Sequence, residues 1–193
     1  MPQKPKRKSS DTLTGFQRIL VTELKEIASL LKVDYQDIKS YERNARTPLL
    51  EMMRRKLIIS EVITGYTLTD EHLNVRIAQF FFGRKKGFIR LWKTKKFRLF
   101  NYHVLEELSL MGKLRFVKSI SKMPKPVTAD IERLNALRNG LAHAFFPENL
   151  KKSKPEWKGR KIFTLEGLQV FLEDMSKIDA YFLKLTPEEL QVF

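Results

Sequence analysis

The spacing of apolar residues along the chain predicts helices and no sheet. The strongly apolar run from Leu49 to Phe82 predicts one long helix, which Gly65 is expected to bend. Residues 98–120 repeat apolar side chains toward one side and predict another helix. A last helix, capped by Thr164, carries apolar residues at helical spacing, namely Leu168, Phe171, Leu172, Met175, Ile178, Phe182 and Leu185. No alternating pattern competes, so we expect an all-α fold, an up-and-down helical bundle.

Shifts in composition divide the chain into four parts. We expect a disordered basic tail at residues 1–11 and an N-terminal segment of short helices at residues 12–48. The helical bundle is expected to occupy residues 49–186, followed by a C-terminal tail at residues 187–193. A chain of 193 residues has room for one full domain and a small additional module.

Turn and capping residues mark the boundaries between the helices. Residues 83–97 predict a basic loop with a short extended piece at Phe88 to Trp92, and residues 147–161 predict a polar loop that contains proline. The run Met123-Pro124-Lys125-Pro126 predicts a stop, after which Thr128 is expected to cap the next helix.

Three polar side chains interrupt the apolar pattern of this next helix. Pro147 is expected to end the helix. At 3.6 residues per turn, Arg138 lies inside a stripe of apolar residues, and Asn139 and His143 continue from Asn135 as a polar stripe beside it. An arginine on a core-facing line costs free energy unless it is paired or faces a cleft or an interface. The spacing therefore predicts a site. The apolar stripe consists of Ile131, Leu134, Leu141 and Phe145.

The same residues also fit a purely architectural role. Arg138 would then pair with Glu132, Glu106 or Glu107, because buried ion pairs are a common way of holding an arginine near a core. His143 would be a hydrogen-bonded core histidine. Both alternatives are compatible with the pattern of the helix.

The run Arg138-Asn139-Gly140-Leu141-Ala142-His143 resembles the signature of the HEPN superfamily. In that signature an arginine and a small polar residue are followed by a few mostly apolar residues and a histidine, and the order of helices over residues 50–185 is similar as well. The resemblance implies an RNA-binding domain. Many members are metal-independent endoribonucleases, some of toxin or defence type, and others are non-catalytic RNA-binding or dimer-forming modules.

Arg138, Asn139 and His143 are accordingly the candidate catalytic residues. His143 is suited to act as base or acid because its ordinary pKa is near neutral, and Arg138 is suited to hold phosphate oxygens with a forked pair of hydrogen bonds. Asn139 would orient the histidine or bind a phosphate oxygen. One protomer supplies a single motif histidine, so we expect a homodimer that apposes two motif helices, as the composite sites of the family imply. The expected products carry a 2′,3′-cyclic phosphate.

The positive charge of the chain is clustered. The formal net charge is +15, and residues 84–98 hold eight basic residues and no acidic one. Basic side chains that follow phosphates, beside aromatic rings that stack on bases, suit RNA, although a solubilising surface would show the same charge. A second basic stretch, residues 151–161, contains Trp157. The candidate RNA-binding residues are Arg84, Lys85, Lys86, Arg90, Trp92, Lys93, Lys95, Lys96 and Arg98.

Composition excludes several other classes of site. The chain has no cysteine and three histidines, so disulfides, thiolate zinc sites and histidine-rich metal sites are not expected, and we expect no cofactor. His72 and His103 are expected to be structural or surface residues. No apolar run reaches the roughly 18 residues of a membrane span, and no signal-peptide core follows the basic N-terminus, so we expect a cytoplasmic protein without a membrane partner.

A second motif runs from Glu26 to Pro48 and includes, without a gap, Ile27-Ala28, Val33, Ile38, Tyr41-Glu42-Arg43 and Arg46-Thr47-Pro48. This run resembles the helix-turn-helix of Cro and phage-repressor proteins. Lys32 stands at the turn position that the family fills with glycine, where a left-handed backbone costs a lysine some strain. The resemblance implies a recognition helix with Tyr35, Gln36 and Lys39 as candidate DNA-binding residues, and Gln36 as the best base reader. The alternative is a pair of packing helices that brace the bundle.

Three functions from different classes therefore fit the sequence. The first is an RNA-binding endoribonuclease of HEPN type, with RNA and a second copy of the chain as partners; an antitoxin or other protein partner follows from the family resemblance alone. The second is a non-catalytic HEPN-like module that binds RNA through residues 84–98. The third is a transcriptional regulator that binds DNA through its helix-turn-helix.

Overall fold

A computed structural model describes residues 14–32, 47–83, 88–143 and 155–185. Helices occupy nearly all of them, which confirms the prediction of an all-α helical bundle. Within these ranges no helix combines the length and the hydrophobicity that a membrane span requires. The chain divides into two compact units, Met1–Ile58 and Ile59–Phe193.

Seven α-helices, one π-helical turn and a two-stranded hairpin make up the described part of the chain. In chain order they are α1 (Gly15–Leu30), α2 (Thr47–Phe82), α3 (Phe88–Trp92), α4 (Lys95–Phe100), the π-helical turn Asn101–Leu105, α5 (Leu110–Ile120), α6 (Lys125–His143), β1 (Glu156–Trp157), β2 (Arg160–Lys161) and α7 (Leu165–Leu185).

In the first unit, helix α1 begins with a reciprocal capping box. The side chain of Thr14 accepts a hydrogen bond from the backbone N–H of Gln17, and the Gln17 side chain accepts one from the backbone N–H of Thr14. The apolar face of α1 buries Leu20 and Leu24 against Leu50 of α2. This unit therefore has its own small apolar core.

The prediction of an extended piece at Phe88 to Trp92 is wrong, because these residues form helix α3. Thr94 caps the following helix, α4, by accepting a hydrogen bond from the Phe97 backbone N–H at 3.2 Å. Leu91 and Phe97 are both buried together with Ala78 of α2. Burial against α2 outweighs the β-propensity of the aromatic and β-branched residues in this segment.

The predicted helix over residues 98–120 is interrupted. Helix α4 passes into the π-helical turn, and a new helix, α5, starts after Ser109. The Ser109 hydroxyl accepts a hydrogen bond from the Gly112 backbone N–H at 3.2 Å, which satisfies a donor that a helix start leaves unpaired. Ser109 thus caps a new helix, although the apolar pattern of the sequence continues past this residue.

Thr128 is not the cap of the motif helix, in contrast to the prediction. Helix α6 begins at Lys125, and the Thr128 backbone N–H already donates to the carbonyl oxygen of Pro124 at 3.1 Å. Pro126 lies in the first turn, where a missing N–H removes no helical hydrogen bond. Pro124 and Pro126 therefore lie at the start of this helix, which begins earlier than the predicted cap at Thr128.

Gly65 lets two helices approach each other closely, and α2 continues through it as one helix. A Cβ atom at Gly65 would lie 3.2 Å from Met175 Sδ and 3.3 Å from Phe171 Cζ of α7. The predicted apolar stripe of α7 is confirmed, since Phe171, Met175 and Phe182 are buried. Thr164 caps α7 as predicted, by accepting from the Gly167 backbone N–H at 3.2 Å.

The predicted loop over residues 147–161 contains the hairpin of β1 and β2, which is anchored by Trp157. Its indole is fully buried, packs edge-on against Phe171 at a centroid distance of 5.2 Å, and donates a hydrogen bond to Asp174 Oδ2 at 3.0 Å. The turn between the strands uses left-handed backbone at Lys158 (φ 49°) and Gly159 (φ 78°). The hairpin is thus tied to α7 by its one tryptophan.

Lys158 joins the hairpin to two helices. Its ammonium lies 2.7 Å from Asp174 Oδ2 of α7 and 3.0 Å from Asp130 Oδ2 of α6. Burial alone would lower the pKa of Lys158, but its hydrogen bonds to the two carboxylates outweigh burial and raise that pKa. The charged network therefore holds α6, α7 and the hairpin together near the start of the motif helix.

Candidate functional site

Arg138 projects from helix α6 into solvent. The buried stripe of α6 runs through Ile131, Leu134, Leu137 and Leu141, whereas the Arg138 side chain is exposed. The prediction that Arg138 lies inside the apolar stripe is therefore wrong. Leu137, about 100° around the helix from Arg138, is buried instead.

Two neighbours position the guanidinium of Arg138. It lies over the ring of Tyr66 from α2, with Cζ 5.4 Å from the ring centroid, and its Nη1 donates to Asn139 Oδ1 at 3.3 Å. A guanidinium over an aromatic face is held by the ring quadrupole, and the contact leaves the N–H donors at its edge available to a ligand. Arg138 is thus both oriented and accessible.

Two of the three carboxylates that sequence patterns offered to Arg138 have other partners. Glu132 lies 4.0 Å from the Lys118 ammonium, and Glu106 accepts a hydrogen bond from Asn101 at 2.7 Å. Among the described residues Arg138 contacts a ring and an amide instead, and neither neutralises its charge. An unneutralised, accessible guanidinium is the kind of group that binds a phosphate.

Tyr66 was not predicted as a site residue. Burial raises the pKa of its hydroxyl, the nearby Arg138 lowers it, and Asp70 raises it; the net effect is an increase. The phenol is therefore neutral at physiological pH, and the face of its ring contacts the Arg138 guanidinium. The spacing of Tyr66, Asp70 and Asn74, each four residues after the last on an apolar helix, is the sequence signal that could have identified this polar stripe.

Asn139 and His143 occupy successive turns of α6. Asn139 is exposed and Asn135, one turn earlier, is half-buried. His143 is the last residue of α6, and its side chain lies outside the described part of the structure. The structure thus brings Arg138, Asn139 and Tyr66 together and places the backbone of His143 one turn further along.

The predicted RNA-binding residues that the structure describes all carry exposed side chains. They lie on α3, on α4 and in the turn between them, and Lys96 lies over the ring of Phe82 at 5.8 Å. Trp92 is 43% exposed, so part of its ring is open to solvent. Arg84, Lys85 and Lys86 lie outside the described residues. The exposed set is Arg90, Trp92, Lys93, Lys95, Lys96 and Arg98.

Trp157 cannot stack on a base, in contrast to the interpretation of residues 151–161. Its side chain is fully buried and bonded to Asp174. The two histidines outside the motif differ in setting. His72 stacks on Phe182 at a centroid distance of 5.1 Å and lies 3.2 Å from Asp179, while His103 is exposed.

The candidate DNA-binding residues Tyr35, Gln36 and Lys39 lie outside the described residues. Lys32, which precedes them, has a left-handed backbone with φ 53° and follows the last turn of α1. This is the conformation that a glycine usually supplies at the end of a helix.

Within the described ranges, no three carboxylate or imidazole side chains gather at a spacing suited to a metal ion. No protein-family model, curated protein or solved structure matches this chain. The chemistry of the site therefore has to be argued from its own residues.

Proposed function

We propose that this protein is an RNA-binding, metal-independent endoribonuclease of HEPN type that acts as a homodimer. One observation carries the proposal: the accessible guanidinium of Arg138, oriented by Tyr66 and Asn139, belongs to an Arg-x4-His run on one helix. The exposed basic residues of α3 and α4 support a nucleic-acid partner.

The chemistry follows from what each group can do without a metal. The 2′-hydroxyl of the substrate attacks the adjacent phosphorus, the 5′-oxygen leaves, and a 2′,3′-cyclic phosphate forms. His143 takes the hydroxyl proton or returns one to the leaving oxygen, because its ordinary pKa lies near neutral. Arg138 binds the non-bridging oxygens, whose charge grows in the transition state. Asn139 orients His143 or binds a phosphate oxygen.

The homodimer is part of the proposal because one protomer supplies one histidine at the motif. The reaction needs both a base and an acid, and a two-fold axis beside α6 would bring a second copy of Arg138, Asn139 and His143 to the same groove. The toxin role, and an antitoxin as protein partner, rest on the family resemblance.

A non-catalytic RNA-binding module is the second candidate. The observation that favours it is the exposed surface of basic residues on α3 and α4, which needs no chemistry at α6 to bind phosphates. In that case the contacts of Arg138 would serve binding or dimer formation alone.

The proposal predicts that the protein cleaves a 5′-labelled structured RNA in excess EDTA. The products are expected to end in 2′,3′-cyclic phosphate, which acid treatment opens and which resists ligation until it is removed. The matched control is the same RNA with 2′-O-methyl groups, which has no attacking hydroxyl and should remain intact. Cleavage that requires a divalent cation, or that also occurs in the methylated RNA, would contradict the mechanism; binding without cleavage would favour the non-catalytic module.

A further inference from the structure

Helix α2 ends in a group of phenylalanine rings that the protein covers only in part. Phe80 is 58% exposed and Phe81 is 51% exposed, although folding usually buries phenylalanine. Phe100 at the end of α4 and Phe116 of α5 lie beside them, with ring centroids 5.1 and 5.7 Å from that of Phe81. These four residues form the phenylalanine cluster. Large apolar side chains that are exposed side by side mark a surface that binds a partner.

The contacts within the phenylalanine cluster hold its rings in place. Phe80 lies edge-on to Phe81 at a centroid distance of 5.2 Å and edge-on to Phe116 at 6.0 Å. The Phe81 ring stacks on that of Phe116, with 30° between the ring planes, and half of the Phe81 side chain still faces solvent. Rings that are already ordered lose little side-chain freedom when a partner binds.

The surroundings of the cluster are strongly basic. The Lys96 ammonium lies 5.8 Å from the ring centroid of Phe82, and this ring is 5.2 Å from that of Phe100 in the cluster. Residues 72–129, which include the end of α2 and helices α3 to α5, contain only two acidic residues. A second copy of this surface would bring like charges together, whereas a polyanion complements them. The partner that fits is therefore anionic and carries flat apolar groups.

We propose that the phenylalanine cluster is a stacking platform for the bases of single-stranded RNA, while the exposed basic residues of α3 and α4 hold the phosphates. Stacking on phenylalanine tolerates any base, because every base has a π-face. The platform selects single strands, because bases in a duplex are stacked on one another and cannot turn toward a ring. This inference rests on the proposed function, since it names the form of RNA that the same protein holds.

The platform and Arg138 are joined by helix α2. Tyr66, whose ring contacts Arg138, precedes Phe81 by 15 residues on this helix, which is about 22 Å along the axis. At 3.6 residues per turn, Phe80 and Phe81 lie about 40° and 60° to either side of Tyr66, so all three belong to one side of α2. One nucleotide cannot span this distance. The platform therefore adds affinity for longer strands and does not touch the reacting phosphate.

Binding of a labelled RNA with 2′-O-methyl groups, which the protein cannot cleave, tests the platform by fluorescence anisotropy. Phe81→Leu keeps an apolar side chain but removes the ring, so we expect single-strand binding to weaken by about tenfold, within the usual range for one stacked base. Phe81→Trp keeps an aromatic face and should bind at least as well as the wild type. Binding of the same RNA as a duplex should be equal in all three proteins.

Phe16→Leu is the matched control, because Phe16 is an equally exposed phenylalanine, at 54%, on helix α1. It should bind single-stranded RNA like the wild type. Phe80→Leu is expected to behave like Phe81→Leu, and it keeps the test decisive if one of the two proteins does not fold. Thermal unfolding should stay near the wild-type temperature, because both rings are half exposed.

Three results would overturn the assignment. The first is equal single-strand affinity of the wild type and both leucine variants. The second is an equal loss in Phe81→Trp or with the duplex, which would show that stacking is not what the ring contributes. The third is binding to phosphatidylserine vesicles, or self-association, that depends on Phe81 while RNA affinity does not. The cluster would then belong to a lipid surface or to a second copy of the chain.

The outcome separates this inference from the proposed function. Single-strand binding that depends on Phe81, without cleavage of unmodified RNA, would support the platform and contradict the nuclease. Chelator-resistant cleavage with wild-type RNA affinity in Phe81→Leu would support the nuclease and contradict the platform. If both hold, Phe81→Leu should raise KM for a long single strand by about tenfold and leave kcat unchanged, because the ring contributes equally to the ground state and the transition state.

Discussion

Replacement of Arg138 by alanine is expected to lower the rate constant of RNA cleavage by about 100- to 1000-fold, the usual loss when one group that stabilises developing charge is removed. The thermal midpoint should change little, because the Arg138 side chain is exposed and its described contacts are one ring and one 3.3 Å hydrogen bond. Single-turnover cleavage in excess EDTA and thermal unfolding measure the two effects separately.

Two further variants show what Arg138 contributes. Arg138→Lys keeps the charge but loses the forked donor geometry, so its rate should lie between wild type and alanine. Arg133→Ala removes the same charge from the same helix at an exposed residue that bonds to Asp130, and cleavage by this protein should remain near the wild-type rate. Equal losses in Arg133→Ala and Arg138→Ala would show that only net charge matters.

The largest effect on stability is expected for Asp174→Ala. The Asp174 side chain is 4% exposed and accepts from Trp157, Lys158 and Lys177 at 2.7–3.0 Å. Its removal leaves the buried indole N–H of Trp157 without its acceptor and breaks the connection between the hairpin and α7. We expect the free energy of unfolding to fall by about 3 kcal/mol. Denaturant titration measures it, with the exposed neighbour Glu173→Ala as the control.

The same carboxylate makes stability depend on pH in the acid range. Burial alone would raise the pKa of Asp174, but the hydrogen bonds from Lys158, Trp157 and Lys177 outweigh burial and lower it below the ordinary value. A lowered pKa in the folded protein adds stability above the ordinary pKa of about 3.9, and this contribution is lost as the pH falls through the folded value. Asp174→Asn should therefore show a weaker loss of stability on acidification than the wild type. If Asp174→Asn lost as much stability on acidification as the wild type, the role of this network would be contradicted.

The helices with strong apolar periodicity could be predicted from sequence. The stripe of α7 and its Thr164 cap were predicted correctly because burial and capping both act within the segment. Phe88 to Trp92 and Thr128 were misassigned because their conformation depends on contacts and hydrogen bonds outside the local pattern. Leu91 lies in a helix and packs in the same buried cluster as Ala78. The carbonyl oxygen of Pro124 accepts a hydrogen bond from the Thr128 N–H.

The candidate site could be predicted only in part. The motif residues were identified from their spacing, but a helical wheel places Arg138 on the same stripe as Ile131 and Leu134 and does not show which positions the neighbouring helices cover. Tyr66 was missed because its contact with Arg138 joins residues 72 positions apart in the chain. Packing of α2 against α6 creates that contact, and no local period encodes it.

The nuclease proposal stands or falls on a comparison of wild type with His143→Ala on a labelled structured RNA in excess EDTA. His103→Ala, which removes an exposed histidine outside the motif, is the matched control. We expect cleavage by wild type and His103→Ala and none by His143→Ala, with RNA binding and thermal unfolding unchanged in all three. Wild-type cleavage by the His143→Ala protein, or intact RNA with all three proteins, would contradict a metal-independent nuclease at this motif.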